Sequence, residues 1–531
     1  MKILLVYPNH KGMNMLPPAI GLLSACLKRE NHTVELFDTT YYNSVEINGN
    51  IDKSDSDTSK SDRLMARPYK MPKSISVKYS NVFDDFEQCV RKFNPDLVAM
   101  SCTEDMFHLG INLLNRITKF NIKTIVGGVF ATFAPKLVLS YKSVDIVCKG
   151  EGEDALVELC ARMEKNKDYF DIPNLWFKYK GKIISNTTKG IDMDNNPLID
   201  MSLFEDARFY RPMGGKVYRM FPVETHRGCP FKCAYCNSPS QMALYKKEAN
   251  VNYLRRKNFD NIRKELQFYK EDMKAEYLYF WADTFFSWTR GEFDTFCEIY
   301  EQIRLPFWCQ TRPETVNEDR LRKLKKIGCD RISFGVEHGN PNFREKYLNR
   351  KMSNQSLTNS LNMVRKVGIT FSVNNIIGFP YETRDLAFDT INLNKTFEAD
   401  DRNAYPFTPF TGTPLRKVCE DLGFLKENDI VQSVIANGSL LNMPQFRRDE
   451  INGLVKTFNM YVKFPESRWP EIKRAESNTK EGTKIYNDLK SEYLEKFWNN
   501  STSFEMSAKY VDRKINYKKN IKSKKLQKFA S

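Results

Sequence analysis

Glu224–Pro239 reads ETHRGCPFKCAYCNSP. Cys229, Cys233 and Cys236 stand in a C-x3-C-x2-C spacing, directly after a β-type run and wrapped by glycine and proline, with no fourth cysteine in the stretch. Three thiolates on one tight loop can grip three corners of a cubane [4Fe–4S] cluster and leave the fourth iron without a protein ligand, open to a small molecule. Zinc with His226 as fourth ligand is the competing reading. Structural zinc sites usually pair two short ligand clusters, this stretch has one, and His226 falls on the strand.

The strand FPVETHRG that feeds the loop opens a series. AEYLYFWAD, PFWCQTR, RISFGVE, TFSVNNIIGFP and AYPFTPFTG follow as further strands. Helical runs such as EDRLRKLKKIG and NSLNMVRKVG separate them, each ending in basic residues and a glycine, as helix C-termini prefer. Six βα repeats in about 190 residues predict a partial (βα)6 barrel over 223–420, with chemistry at the C-terminal strand ends.

The N-terminal residues 1–160 carry a second α/β pattern. KILLVYP, HTVELFD, PDLVAMSC, KTIVGG and VDIVCKG read as strands, and PPAIGLLSACLKREN, VFDDFEQCVRKF, FHLGINLLNRITKF and EDALVELCARMEK as helices. Apolar strands alternating with helices predict a doubly wound parallel, Rossmann-like sheet, whose ligands lie beyond the carboxyl ends of the strands. Those ends carry YPNHKG, SCTED, VGGVFATF and KGEGE, loops of small and polar residues. Residues 48–80 form a polar loop or insertion. Residues 161–222, with the hairpin-like NLWFKYKGKIISN, read as a linker. Residues 421–531 read as a helical region whose aromatics Phe458, Tyr461, Trp469, Tyr486, Tyr493 and Trp498 pack helices onto the barrel.

Bulk properties bound the rest. A chain of 531 residues is too long for a single core. No long uncharged apolar run suggests a transmembrane segment. The start MKILLVYPNH reads as a strand rather than a signal peptide, which leads us to expect a cytoplasmic protein. Nine of the twelve cysteines (Cys26, Cys89, Cys102, Cys148, Cys160, Cys297, Cys309, Cys329, Cys419) are dispersed and read as buried thiols. The formal charge of +16 owes much to the tail DRKINYKKNIKSKKLQKFAS. A patch for nucleic acid or anionic membrane and a solvated tail both fit it. Without arginine–aromatic interleaving or an RNA module, nucleic acid is not expected as a partner.

RGCPFKCAYC resembles the signature of the radical S-adenosylmethionine (radical SAM) enzymes. The resemblance implies that the open iron chelates SAM, and that an electron from the reduced cluster cleaves SAM to methionine and a 5′-deoxyadenosyl radical that abstracts hydrogen from substrate. An external donor such as flavodoxin or ferredoxin would supply the electron. By the same resemblance Tyr235 neighbours the adenine, Asp283 faces the SAM ammonium and Glu337 the ribose. Arg350 would meet the SAM carboxylate, Asn374 the ribose, and Gly378 would lie near the adenine.

Residues 1–160 are similar to the cobalamin-binding domains fused ahead of many radical SAM barrels, through MLPPAIGLLSACLKRENHTVELFD, DLVAMSCT and IVGGVFATFAPKLVLSYKSVDIVCKGEGEDAL, with FTPFTGTPL beyond the barrel core. This implies cobalamin contacts from Ser101, Thr103, Gly127, Gly128, Gly150 and Glu151. The D-x-H-x-x-G motif that gives cobalt a histidine elsewhere is absent, since Pro8 precedes His10 and Met106 precedes His108 at the aspartate position. The resemblance therefore implies cobalamin without a histidine below the metal, a state suited to methyl transfer to a carbon radical. The chain is expected to be a cobalamin-dependent radical SAM methyltransferase of an unactivated carbon in a small-molecule or peptide substrate. A ring-forming or rearrangement enzyme built of the same parts is the alternative. An RNA-modifying methylthiotransferase is a third, which would need three further cysteine ligands from the first domain.

Overall fold

The computed structural model describes residues 1–12, 15–43, 60–72, 75–433 and 437–498. The basic tail, and residues 48–59, 73 and 74 of the polar insertion expected at 48–80, lie outside the described residues. Among those described, the strands form two seven-stranded sheets and one two-stranded pair.

The first sheet contains β1 (Lys2–Tyr7), β2 (Thr33–Asp38), β3 (Leu97–Ser101), β4 (Lys123–Gly127), β5 (Ile146–Cys148), β6 (Leu175–Tyr179) and β7 (Lys182–Ser185), in the order β2-β1-β3-β4-β5-β6-β7. It is parallel from β2 through β5. In β1, Ile3 and Leu5 enter one apolar cluster while Leu4 and Val6 enter another, which is why the strand is apolar without alternation. The strand order reverses at β1, between β2 and β3, and the carboxyl-end loops gather at that edge. The β6–β7 hairpin, read from the sequence as linker, adds antiparallel to β5 and extends this sheet.

The second sheet contains β8 (Tyr210–Met213) and β9 (Lys216–Val223). After β9 comes the short antiparallel pair β10 (His226–Arg227) and β11 (Arg255–Arg256) around the cysteine loop, then β12 (Tyr277–Phe280), β13 (Phe307–Thr311), β14 (Cys329–Glu337), β15 (Thr370–Ile377) and β16 (Asp401–Pro406). The order β16-β15-β14-β13-β12-β9-β8 is parallel except for β8, so six parallel strands follow one another around an open barrel wall. The crossover helices follow their sequence signals. Glu318–Ile327 starts at Asn317, whose side chain accepts from Arg320 N–H, and stops at left-handed Gly328 after Lys325 and Lys326. Asn354–Val367 runs from Ser353 to Gly368 in the same manner.

Ile199, Met201, Phe204 and Phe209, from the stretch between the sheets, join the cluster that runs from the first sheet into the barrel. The helices Arg448–Lys463, Trp469–Ala475 and Lys480–Phe497 pack on β16 and its neighbours through Phe458, Tyr461, Tyr486, Tyr493 and Trp498, all buried, with Trp469 at the edge. No helix of the described residues is long and apolar enough to cross a membrane.

Candidate active site between the two sheets

The carboxyl ends of both sheets open on one cavity of 1130 Å³. Pockets for a single small ligand span about 300–1000 Å³, so this one has room for more than one bound molecule. Ser101, Thr103, Gly127, Gly128, Gly150 and Glu151 all line it from the first sheet, and Cys236, Asp283 and Asn374 from the second.

The cysteine loop is held on every side. Gly228 turns the chain at φ +95°, and a Cβ there would lie 2.9 Å from Tyr253 O, so a side chain is excluded. Ala234 N–H donates to Leu348 O (3.1 Å), Asn349 Nδ2 to Lys232 O (2.8 Å), and Asn237 Nδ2 to Thr411 O (2.8 Å). Each thiol has a polar neighbour. Thr284 Oγ1 lies 3.2 Å from Cys229 Sγ, Arg312 Nη1 donates to Cys233 Sγ (3.4 Å), and Ser238 N–H donates to Cys236 Sγ (3.4 Å). Burial pushes the Cys229 thiol up and the Cys236 thiol up to about 12, so iron binding must drive off these protons. Three thiols with donors aimed at their sulfurs fit an iron–sulfur cluster, whose ligands are tuned by such hydrogen bonds.

His226 is not available as a fourth ligand. Its Nδ1 lies 3.1 Å from Thr225 Oγ1 and its Nε2 3.1 Å from Ser287 Oγ, with the ring edge-on to Trp288 at 5.6 Å. Burial, helped by Arg256, lowers its pKa to about 4, so the ring is neutral. Among the described residues no three of His, Cys, Asp and Glu gather as around a single metal ion.

Tyr235, Glu337 and Arg350 meet in one buried polar group. Arg350 Nη1 lies 3.3 Å from both Glu337 Oε1 and Tyr235 Oη, and Nη2 donates to Gly335 O (2.9 Å). The register of β14 on β15 shifts between Gly335 and Glu337, and Glu337 sits at φ +68°, a strained backbone that aims its carboxyl inward. Burial pushes that carboxyl up, opposed by Arg350. Asp283 opens on the cavity, its carboxyl pushed up by burial and by Glu224. Asn374 Oδ1 accepts from Asn403 Nδ2 (2.9 Å), and Gly378 N–H donates to buried Glu382.

On the other wall, Gly128 (φ +109°) closes so tightly on the β3 loop that a Cβ would meet Cys102 O at 2.3 Å. Thr103 Oγ1 donates to Asp105 Oδ1 (2.6 Å). The Glu151 carboxylate is engaged by Arg227 and by Arg255 Nη1 (3.0 Å), and accepts from Ile191 N–H (3.1 Å). Its side chain thus ties the KGEGE loop to the residue two positions before Cys229. Neither His10 nor His108 is among the described residues that line the cavity.

Sequence reasoning missed Thr284, Arg312 and Thr411. The first two stand just beyond strand ends, in WADTFF and QTRPE, where barrel function concentrates. Thr411 lies in FTPFTGTPL. Its N–H and Oγ1 donate to buried Glu104 (2.7 and 2.9 Å), which also accepts from Val431 N–H (3.0 Å), while its carbonyl receives Asn237. Burial pushes the Glu104 carboxyl up against the pull of these donors. One threonine therefore connects the loop after β3 to the residue beside Cys236.

Residues 223–393 match the family model of the radical SAM superfamily, and residues 73–160 that of the B12 binding domain. β1 and β2 lie outside the second match but belong to the same sheet. An uncharacterized methyltransferase, PH0819, of Pyrococcus horikoshii is 25% identical over 63% of this chain and 71% of its own length. An anaerobic magnesium-protoporphyrin IX monomethyl ester cyclase of Cereibacter sphaeroides is 24% identical over 62% of this chain, which spans 54% of that enzyme. Among solved structures, the cobalamin-dependent radical enzyme OxsB superposes with a TM-score of 0.60 at 14% identity, covering 96% of this chain and 75% of that one. The methyltransferase TsrM of Kitasatospora setae superposes with 0.59 at 13%, covering 88% and 90%. At such identities the two superpositions show the shared fold.

Proposed function

We propose that this chain, a radical SAM protein with a B12-binding domain, is a cobalamin-dependent methyltransferase acting on an unactivated carbon. The single observation that carries the reading is the shared cavity, which Cys236 and Asp283 line together with the glycine loops of the first sheet. When bound, the [4Fe–4S] cluster and SAM supply a carbon-centred radical, and cobalamin supplies a transferable methyl group.

The chain's own residues do the rest. Cys229, Cys233 and Cys236 hold the cluster, while Thr284, Arg312 and the Ser238 amide place positive dipoles and charge at their sulfurs. Tyr235, Glu337 and Arg350 form a preset polar group for SAM, with Asp283, Asn374 and Gly378 at neighbouring strand ends. Ser101, Thr103, Gly127, Gly128 and Gly150 form the opposite wall for cobalamin, and Glu151 fixes that wall to the barrel. A flavodoxin or ferredoxin is the proposed electron source.

The similarity to a ring-forming cyclase keeps that chemistry as the second reading. The methylthiotransferase reading loses support, because the first-domain thiols divide between the two faces of the sheet. Cys148 and Cys160 pack with one cluster, Cys89 and Cys102 with the other. Incubating the reconstituted chain with SAM, reductant and cobalamin separates the first two readings. S-adenosylhomocysteine beside 5′-deoxyadenosine supports methyl transfer, and 5′-deoxyadenosine with no S-adenosylhomocysteine, while cobalamin stays bound, contradicts it.

A further inference from the structure

Arg312 and Glu314 follow β13 at its carboxyl end, and neither is among the residues that line the cavity. A short 3-10 turn, Pro313–Thr315, brings their side chains together. In it Thr315 N–H (3.1 Å) and Thr315 Oγ1 (2.7 Å) both donate to Arg312 O. Thr315 Oγ1 also lies 2.7 Å from Thr311 Oγ1, which ties the turn to the end of the strand. The Arg312 guanidinium is then fixed by three contacts. It lies over the Phe231 ring, 3.8 Å from the centroid, Nη1 donates to Cys233 Sγ (3.4 Å), and Nη2 is paired with Glu314. Phe231 and Cys233 both belong to the cysteine loop.

Glu314 is shared between two arginines. Its Oε1 engages Arg312, while its Oε2 lies 3.6 Å from Arg350 Nη2, an ion pair longer than a hydrogen bond. Buried Arg350 is itself divided. Nη2 donates to Gly335 O (2.9 Å), and Nη1 lies 3.3 Å from both Glu337 Oε1 and Tyr235 Oη. Two arginines and two carboxylates therefore alternate from the cysteine loop to β14, in the order Cys233, Arg312, Glu314, Arg350, Glu337. The backbone holds the two ends of this line in place. Leu348 O and Asn349 Nδ2, just before Arg350, bind Ala234 N–H (3.1 Å) and Lys232 O (2.8 Å), on either side of Cys233.

A cationic donor at a ligating sulfur favours the reduced, more negative state of an iron–sulfur cluster and so raises its potential. How strongly Arg312 does this depends on how much of its charge Glu314 cancels. That in turn depends on how far Glu314 is drawn toward Arg350. The side chains of Arg312 and Arg350 are only 12% and 3% exposed, so these charges act on one another through a dielectric well below that of water.

We propose that Glu314 is a positioning residue that ties the reduction potential at Cys233 to occupation of Arg350. When a ligand carboxylate engages Arg350, Glu314 turns wholly to Arg312, Arg312 pulls less on the Cys233 sulfur, and the potential falls. The ligand carboxylate is that of SAM; this identity, like the cluster, rests on the proposed function. By linkage, the reduced state holds the ligand more weakly than the oxidised state by the same factor. The one electron involved comes from the external flavodoxin or ferredoxin, and no bond is made or broken when it arrives.

The test is an anaerobic redox titration of the reconstituted full chain, followed by visible absorbance, with and without S-adenosylhomocysteine. This probe keeps the carboxylate of SAM but has no sulfonium to cleave. Without the probe, Arg312→Met should lower the reduction equilibrium about tenfold, which is 59 mV for one electron. Glu314→Gln, which frees the Arg312 charge, should raise it about threefold. The opposite signs carry the test, because a loosened or more exposed loop would move both variants the same way. Adding the probe should lower the equilibrium at least threefold further in the wild type than in either variant. Shifts of one sign in both variants, no shift in either, or an equal effect of the probe on all three chains overturns the coupling. Iron content and SAM cleavage are read on the same preparation. A wild-type chain that assembles no cluster overturns the coupling together with the proposed function. A cluster that assembles and cleaves SAM while the probe acts equally on all three chains overturns the coupling alone.

Discussion

Glu104→Gln tests whether the two halves of the site are held in register. The native carboxylate is 3% exposed and accepts from Thr411 N–H, Thr411 Oγ1 and Val431 N–H, with Arg416 Nη1 at 3.6 Å. Glutamine keeps the volume but turns an amide donor toward one or two of these donors. Breaking a buried ion pair costs about 3–5 kcal/mol when the partner is stranded. Here Arg416 retains Glu420 at 2.7 Å, so the loss is confined to the charge-assisted bonds, about 2 kcal/mol. That corresponds to roughly 30-fold more frequent local opening. Native-state hydrogen exchange should show the Thr411 and Val431 amides exchanging about 30-fold faster. Amides around Asn237 should follow, because the same Thr411 carbonyl holds that side chain. Unchanged exchange at Asn237 while Thr411 opens would refute the connection between the first sheet and the cysteine loop.

Other outcomes follow from the same contacts. His226, neutral with a pKa of about 4 against 6.5 when unfolded, stabilises the fold above pH 6.5, and this is lost as the pH falls toward 4. Between pH 7 and 5 the loss is about 2 kcal/mol, and His226→Gln should remove that part of the pH dependence in urea unfolding followed by tryptophan fluorescence. An identical pH slope in the variant contradicts the assignment. Gly128→Ala, with its Cβ driven into Cys102 O at a positive φ, should cost about 3 kcal/mol and abolish retention of added cobalamin on gel filtration. Arg312→Met should leave a cluster that assembles but bleaches faster in air, read from its visible absorbance, because Cys233 loses its charged donor.

The parallel sheets were legible because both patterns are one-dimensional: β1 is apolar from Ile3 to Val6 since both faces are covered there, and Gly328 and Gly368 end their helices as their neighbours announce. The C-x3-C-x2-C loop and the glycine loops were legible for the same reason. What stayed hidden depends on pairs far apart in sequence. Glu104 meets Thr411 across 307 positions, and Leu64 meets Asn459 across 395. Glu151 was expected at cobalamin, and no local signal reveals that its carboxylate is engaged by Arg227 and Arg255. The hairpin of β6 and β7 read as linker because its alternation is plain, while its pairing partner β5 is only Ile146–Cys148.

The most direct test of the central claim is iron, sulfide and SAM cleavage measured on one anaerobic preparation of the whole chain. The account predicts about four irons and four sulfides per chain in the loop of Cys229, Cys233 and Cys236, and reductant-dependent 5′-deoxyadenosine that disappears when any one of the three is changed to alanine. Zinc in place of iron, or cleavage that survives the loss of a cysteine, would contradict it.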